Sequence, residues 1–434
     1  MPPDLKLPPL PDGADGQVWV AYSGGRDSTA LLHRLAAEYA VRAVHVHHGL
    51  QPAADDWLRH CRRVCRRLGV PLRVLRVEVS VSDGLGIEAA ARRARYRALE
   101  RLLRAGDVMA TAHHRDDQAE TVLLRALRGS GVVGLAGMRR ERPLGRGVLW
   151  RPLLSTPRAR VEAYLRGQGL GRQEGGWIDD PHNADPRLAR AFLRTEIMPR
   201  LAGMFPQATG SLVRLAQRAA AADELLSELA QQDRSAAAHA DGGLSVKALL
   251  ALSPERRHNL IYFEWRALGF EAPAEAWFAR LDREVLRARR DAVPVLGAGG
   301  AEARRYRDRL FLMPALPPAP GGVVITWGEG ARQRLPEGCG ELRRRGPGTA
   351  ALEIRFARGG ERLRPDGGRH TRTLKQLCQE AGIPPWVRER MPLVYRGETL
   401  LAVAGYWRSA AAAASGLRFE WCRAPMGAPR GIPD

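Results

Sequence analysis

An alternating apolar run, Gln17-Val18-Trp19-Val20-Ala21-Tyr22, gives way to Ser23-Gly24-Gly25-Arg26-Asp27-Ser28 and then to an apolar-periodic helix. Two glycines at a strand–helix junction let the backbone turn tightly and bring its N–H groups against an anion. Ser28 and Thr29 fall in the first helical turn, where unpaired N–H donors and the positive helix end face one point. That arrangement suits a phosphate or pyrophosphate. No Gly-Lys-Ser/Thr follows the glycines, so the Walker loop is excluded. An ordinary Ser/Gly turn closing a strand would carry the same residues, since glycine-rich turns are common in α/β folds.

The junction sits in a chain that keeps alternating. Residues 41–46 form a buried strand pattern and 55–68 a helix with Leu58, Cys61, Cys65 and Leu68 on one face. The i, i+4 thiols on that apolar stripe read as core residues rather than half a metal site. Residues 72–79 alternate as a strand, 87–103 form an arginine-laced helix, and 107–112 the next strand. This rhythm predicts a parallel sheet covered on both faces, with ligands beyond the carboxyl ends of its strands. Three segments fall at those ends: residues 23–28, 45–50 and 113–117. From about residue 210 the pattern turns helical over 211–231, 246–252, 254–268 and 274–288. A Pro/Gly-rich linker follows at 314–322. Short strand-like runs at 323–327, 352–356 and 400–403 around one helix at 373–381 then read as a small α+β module. The alanine tract at 410–414 has no reading of its own.

With 434 residues the chain exceeds one comfortable core, so we expect three domains: 1–210, 211–315 and 322–434. No apolar run approaches the roughly 20 residues that span a bilayer. The start, Met1-Pro2-Pro3-Asp4-Leu5-Lys6, lacks signal-peptide character. Five cysteines, few and odd in number, fit a reducing cytoplasm. The net charge is +21 and almost all the cations are arginine; the lysines are Lys6, Lys247 and Lys375. Base bias in a genome exchanges lysine for arginine but does not create a surplus of positive charge, so a polyanionic partner is expected, with nucleic acid foremost.

Thr111-Ala112-His113-His114-Arg115-Asp116-Asp117-Gln118-Ala119-Glu120-Thr121 leaves a strand and enters a helix. Asp116 and Glu120 share a helical face at i, i+4, with Asp117 beside them. Carboxylates so placed can hold Mg²⁺ next to ATP phosphates, or they can be helix-start acids that answer the dipole.

Taken together, residues 23–28, His45-Val46-His47-His48-Gly49-Leu50, 113–121, Gly129-Ser130-Gly131, Arg151-Pro152-Leu153-Leu154, Asp180-Pro181-His182-Asn183 and Arg190-Ala191-Phe192-Leu193-Arg194 resemble the bacterial tRNA(Ile)-lysidine synthetases. So do Arg358-Gly359-Gly360-Glu361-Arg362 and Pro385-Trp386-Val387-Arg388-Glu389-Arg390. These enzymes are PP-loop ATP pyrophosphatases, and the match follows their long form with two C-terminal domains. The family often has asparagine where His47 and Ala191 stand. The resemblance implies an α/β fold: a parallel-sheet PP-loop domain, a helical domain and a small α+β C-terminal domain.

It also implies a reaction. ATP adenylates the C2 oxygen of the wobble cytidine in an isoleucine tRNA with a CAU anticodon, releasing pyrophosphate. Free L-lysine then attacks C2 through its ε-amine and AMP leaves. The product, lysidine, shifts reading from AUG to AUA. On this reading Ser23, Gly24, Gly25, Arg26, Asp27 and Ser28 bind ATP. Asp27 orients Mg²⁺ or phosphates, and His113 is acid or base. Asp116 and Asp117 hold Mg²⁺ or receive the lysine ammonium. Arg190 and Arg194 contact phosphates of ATP or tRNA, or else pair with Asp180 or Asp185. Arg358, Arg362, Arg388 and Arg390 suit tRNA backbone positioning, and Trp386 is either a base platform or a core residue. No membrane is expected as a partner, and a homodimer is left open. The rivals are a PP-loop thiolase, an amidotransferase-type synthetase and a non-catalytic RNA-binding protein. The chain lacks the CxxC pair of many thiolases and has no glutaminase cysteine setting.

Overall fold

The computed structural model describes residues 4–79, 86–170, 176–179, 185–239, 242–270, 272–289, 291–346 and 351–422. The chain divides into two compact units, Met1–Glu224 and Leu225–Asp434. In the first unit, β1 (Val18–Ala21), α1 (Arg26–Ala36), β2 (Val41–His47), α2 (Ala54–Arg67), β3 (Leu72–Arg76), α3 (Ile87–Leu102), β4 (Val108–Ala110) and α4 (Arg115–Leu127) alternate as the periodicity predicts. After them come α5 (Val132–Leu135), the hairpin β5 (Glu141–Leu144) and β6 (Gly147–Trp150), α6 (Arg158–Gly167), α7 (Ala189–Phe192), a π-helical turn Leu193–Ile197 and α8 (Met198–Met204).

The six strands lie in the order β3-β2-β1-β4-β6-β5, parallel except for the β5–β6 pair. Both faces are apolar, which explains the near-continuous hydrophobic runs. Val18, Val20 and Tyr22 pack with Leu31, Leu35, Cys61, Cys65, Trp150 and Val161 on one face. Trp19 packs with Val44, Leu99, Met109 and Leu149 on the other. Cys61 and Cys65 are thus core thiols; burial raises the Cys61 thiol to about 12 and Cys65 to about 11. The sequential strands run outward from β1 through β2 to β3, and β4 then returns to the other side of β1. The carboxyl ends of β1 and β4 therefore flank the switch point where such sheets bind ligands.

The second unit begins within a 30-residue helix, Ala208–Ala237, and continues with Val246–Ala251, Pro254–Ala267 and Glu275–Arg280, the last running into a π-helical turn, Leu281–Leu286. A four-stranded antiparallel sheet (Leu244–Ser245, Arg309–Pro314, Ala301–Tyr306, Val295–Ala298) covers them. The helical pattern gave no sign of this sheet. Its strands carry Glu302, Arg304 and Arg305, whose charge interrupts the apolar alternation. Glu302 is nevertheless buried, held by Arg304 at 2.6 Å. Beyond residue 323 three further antiparallel sheets form among the described residues, of five, three and two strands. Besides the expected helix, Leu374–Glu380, there are two short ones, Pro385–Arg388 and Ala410–Ala414. The alanine tract is thus a helix, started by the Ser409 hydroxyl accepting the Ala412 amide.

The stretch expected as a linker is tied down. The Leu316 amide donates to Glu302 at 3.2 Å, and the Arg390 guanidinium donates to the carbonyls of Pro317 and, at 3.0 Å, Trp386. Arg390 is only 4% exposed, so it braces the chain instead of facing RNA. Trp386 is buried, edge-on to Phe311 at 5.6 Å, which settles it as a core residue. Tyr306, Phe311 and Met313 share one apolar cluster with Leu377, Trp386 and Met391. Among the described residues no helix is long and apolar enough to cross a membrane.

Candidate functional site

The turn after β1 is built from its own side chains. Gly24 has φ +84°, and a Cβ there would stand 3.0 Å from Cys61 Sγ and Ile178 Cδ1. Gly25 precedes the first turn of α1. Its carbonyl accepts the Ser28 and Thr29 hydroxyls at 2.9 Å, and its N–H donates to Ser23 Oγ at 3.3 Å. Ser23 and Ser28 hydroxyls lie 3.0 Å apart. Ile178 pairs with Gly25 as a parallel bridge and donates its amide to the Gly24 carbonyl at 2.9 Å. Gly24→Ala would combine the positive φ with those two close approaches, so we expect a loss of about 1–3 kcal/mol. A thermal melt checks this; an unchanged melting temperature would mean that the turn relaxes freely.

Arg26 leans away from the turn onto Glu162 of α6 at 2.6 Å, and its Nε reaches Asp27 at 3.0 Å. Asp27 Oδ2 lies 3.7 Å from His114 Nε2, and His114 lies 3.5 Å from Asp117 Oδ2 and 3.7 Å from Asp116 Oδ2. The two strand ends at the switch point therefore meet at one buried imidazole. Burial alone would raise the Asp27 carboxyl. His114 and then Arg26 outweigh it and hold the group far below the usual carboxylate range. His114 is raised above the ordinary histidine value: burial opposes this, but Asp27, Asp117 and Asp116 overcome it.

His114 and Asp117 also start α4 reciprocally. The Asp117 amide donates to His114 Nδ1 at 3.3 Å and the His114 amide to Asp117 Oδ2 at 3.0 Å. That cap assigns the proton of the neutral ring to Nε2, facing Asp27. A second proton would displace the cap, so cap and carboxylates pull in opposite directions. His113, partly exposed, lies 3.0 Å from the Thr111 hydroxyl. Burial, with Arg151, Arg190 and Arg92, pushes it below the ordinary value against Asp117, so it is neutral at pH 7.

The acids expected to act as one group divide. Asp116 accepts the Arg158 amide at 2.9 Å and so caps α6. Asp117 and the buried Glu120 face Arg190 and Arg194. Arg194 reaches Asp117 Oδ1 at 2.9 Å and both Glu120 oxygens at 2.7 and 2.8 Å; Arg190 reaches Glu120 at 3.3 Å. Both arginines come from α7 and the π-helical turn after it, a deformation common at functional sites. Asp185 pairs with Arg187 instead, at 2.7 Å. The segment 180–183 lies outside the described residues.

His45 donates from Nδ1 to the Tyr22 carbonyl at 2.9 Å and so ties β2 to β1; His47 meets Asp55 at 3.2 Å. Arg358 and Arg362 are exposed and Arg388 half-buried. Glu361 accepts the Gly359 amide at 2.9 Å, closing the turn between Arg358 and Arg362. Sequence reasoning missed Glu162 and Ile178. No local pattern could have found them, since 136 residues separate Glu162 from Arg26.

Several histidines are neutralised by their surroundings. Burial first, then neighbouring cations, lowers His33 and His60, and takes His48 to about 4; burial also lowers His45. The unfolded chain takes up those protons near pH 6.5, before the folded chain does. Stability is therefore present above that pH and lost as pH falls toward the folded values. His113 adds to the same sense; His114 acts in the opposite one but is one group against five. A melting temperature lower by several degrees at about pH 5 than at about pH 7.5 is expected. A flat or inverted profile would refute this balance.

The fold, the glycine turn and the acids across the switch point define a class: residues 8–201 match the PP-loop domain family. Residues 244–311 match the TilS substrate binding domain and 352–421 the TilS substrate C-terminal domain. Curated relatives called tRNA(Ile)-lysidine synthase run along nearly the whole chain. The one from Alkalilimnicola ehrlichii is 46% identical, covering 89% of this chain and 88% of its own. Those from Pseudomonas aeruginosa and Xanthomonas campestris are 43% and 42% identical, covering 93% and 91% of this chain and 92% and 91% of their own. The chain belongs to the tRNA(Ile)-lysidine synthase family.

Proposed function

We infer that the cleft at the β1/β4 switch point uses ATP to activate the wobble cytidine of an isoleucine tRNA with a CAU anticodon, and then joins lysine to it. What supports this reading most is the meeting of Asp27, Asp116 and Asp117 around His114, at 3.5–3.7 Å, beside the glycine turn. In the first step the cytidine O2 attacks the α-phosphorus and the bond to the pyrophosphate oxygen breaks. Backbone donors of residues 23–28 and the start of α1 lower that barrier by meeting the departing charge. In the second step the lysine amine adds to C2 and the C2–O bond breaks, so AMP leaves with the oxygen. The amine must be deprotonated, and we assign that proton to His113 or to a neighbouring carboxylate. The cytidine must be extruded, because stacking hides C2.

The oxygen donors suit Mg²⁺ at one pair of acids only. Asp27 and Asp116 keep 31% and 34% of their side chains exposed and would hold the ion. Asp117 and Glu120 lie against two guanidiniums, which oppose a dication about twice as strongly as a single ammonium, so we assign them to the lysine ammonium. When bound, Mg²⁺ supplies charge neutralisation at the phosphates. Arg190, one-third exposed, can also turn to a phosphate. All five cysteines are free thiols, in keeping with a reducing cytoplasm.

Incubation with ATP, radiolabelled lysine and transcripts differing at the anticodon tests the reading. Label is expected only in the CAU transcript of isoleucine tRNA; label in none of them, with ATP and lysine present, would refute it. We assign the segments 211–315 and 322–434 to holding tRNA, with Arg358, Arg362 and Arg388 on the backbone. Log Kd for tRNA should then rise linearly with log salt, by about 0.7–0.9 per phosphate neutralised. A flat plot would mean that the basic surplus is not the RNA surface. Arginine substitutions test it better than truncation after residue 321, which would uncover the apolar cluster around Phe311.

A further inference from the structure

Four arginines of the first unit gather at the carboxyl edge of the sheet, with no carboxylate paired to them among the described residues. Arg151 directly follows β6, and Arg142 sits opposite Leu149 on β5. Arg92 and Arg95 lie near the middle of α3, one turn apart. Tyr96 organises them: the Arg92 and Arg142 guanidiniums lie 5.0 and 5.2 Å from its ring centroid, and Arg92 donates to its hydroxyl at 3.4 Å. Arg95 reaches His48, just past β2, at 3.4 Å. Arg151 is only 4% exposed; its Nη1 donates to the Arg139 carbonyl at 2.6 Å, and its Nε has no acceptor. Among the described residues none of the four makes an ion pair, although 47 acids are present in the chain, whereas the buried Arg257 meets Asp282.

Such a cluster is costly to keep. Burial first, then Arg142 and Arg92, depress Arg151 below the ordinary arginine value. Against the burial that raises it, the Tyr96 hydroxyl is pulled down by Arg92, Arg151 and Arg142. Like charges are held together here without a carboxylate partner among the described residues, and an orphan buried donor, Arg151 Nε, stands among them. An arriving anion would relieve both. Arg151 and His113 follow the ends of neighbouring strands, joined by the Thr111 amide donating to the Trp150 carbonyl at 2.9 Å, so the cluster adjoins the reaction site.

We propose that Arg92, Arg95, Arg142 and Arg151 form a seat for consecutive tRNA backbone phosphates next to the extruded cytidine. The proposal rests on the tRNA reading given above. Consecutive phosphates match this cluster better than a single carboxylate does, because one carboxylate satisfies one guanidinium fork while four are spread over a helix and a hairpin. The Tyr96 ring already carries guanidiniums, so it anchors cations and is not a base platform. These arginines position the strand; base identity is read elsewhere.

The test is direct binding of the isoleucine tRNA transcript to the full chain, without ATP or lysine, across a salt series. Arg92→Gln and Arg95→Gln change exposed positions and leave the core untouched. The double variant should bind about tenfold more weakly at low salt, and its salt slope should fall by about 0.7–0.9 for each phosphate that is no longer neutralised. Arg142→Gln added to it should lower both further, and the melting temperature of all three should match wild type. Unchanged affinity and slope would overturn the proposal. If the lysine KM rises instead, the cluster takes the amino acid's carboxylate, and the proposal is wrong in that way. Because binding is read without catalysis, failure of the phosphate seat is separable from failure of the lysidine reading, which would show as wild type binding tRNA but transferring no label.

Discussion

Replacing Asp27 by alanine should abolish pyrophosphate release while tRNA affinity changes only a few-fold. Asp27 stands in the first turn of α1, where the glycine turn aims its donors, and its carboxylate bridges Arg26 and His114 across the switch point. Removing it takes away one of the two exposed acids suited to Mg²⁺ and leaves the Arg26 guanidinium and His114 without their shared counter-charge. The turn itself should survive, because the Ser28 and Thr29 hydroxyls still bond the Gly25 carbonyl. A stability loss of about 1 kcal/mol is expected from the missing helix-start charge, against a loss of orders of magnitude in turnover. Asp27→Asn should be nearly as inactive, since the amide keeps the size but not the charge. The readout is pyrophosphate release with saturating tRNA. Retained turnover in either variant would remove Asp27 from the chemistry.

Asp117→Asn should fold and still fail to make lysidine, by orders of magnitude. The amide oxygen can accept the His114 amide, so the start of α4 is preserved. The charge facing Arg194 disappears, but Glu120 keeps that guanidinium at 2.7 and 2.8 Å, so the melting temperature should fall only by a few degrees. The placement of Asp117 against two arginines sharpens the expectation. Added Mg²⁺ should not rescue the variant, and the lysine KM should rise while ATP-dependent adenylation persists. Rescue by Mg²⁺ would return the metal to Asp117. Near-wild-type activity with a large drop in melting temperature would make the acid structural.

The resemblance to a family was legible because its motifs are local. A strand feeding two glycines, a pair of histidines before a pair of aspartates and a tryptophan after two prolines can each be read within a dozen residues. Partner choice among charges was not. Arg190 and Arg194 were expected to meet phosphates or the acids a few positions away, yet they pair with Asp117 and Glu120, about 70 positions earlier. Arg390 stood in a basic, exposed-looking segment and proved to brace the chain near Pro317. An arginine on the surface and one in the core have the same local signature, because burial depends on what other segments bring to it.

The alternation of strands and helices in the first unit, the glycine turn and the acidic helix start are all written in the order of residues, because hydrophobic period and backbone freedom act over one or two turns of chain. How those pieces share a site was settled by tertiary packing. The strand order set β1 beside β4, so that His114 could join Asp27 to Asp117. The same packing divided the acids into an exposed pair and a pair clamped by arginine. It also gathered Arg92, Arg95, Arg142 and Arg151 from three separate stretches of chain. Charge interactions are felt through space and their strength depends on burial, so neither the partner nor the strength of an ion pair can be read from the spacing of residues.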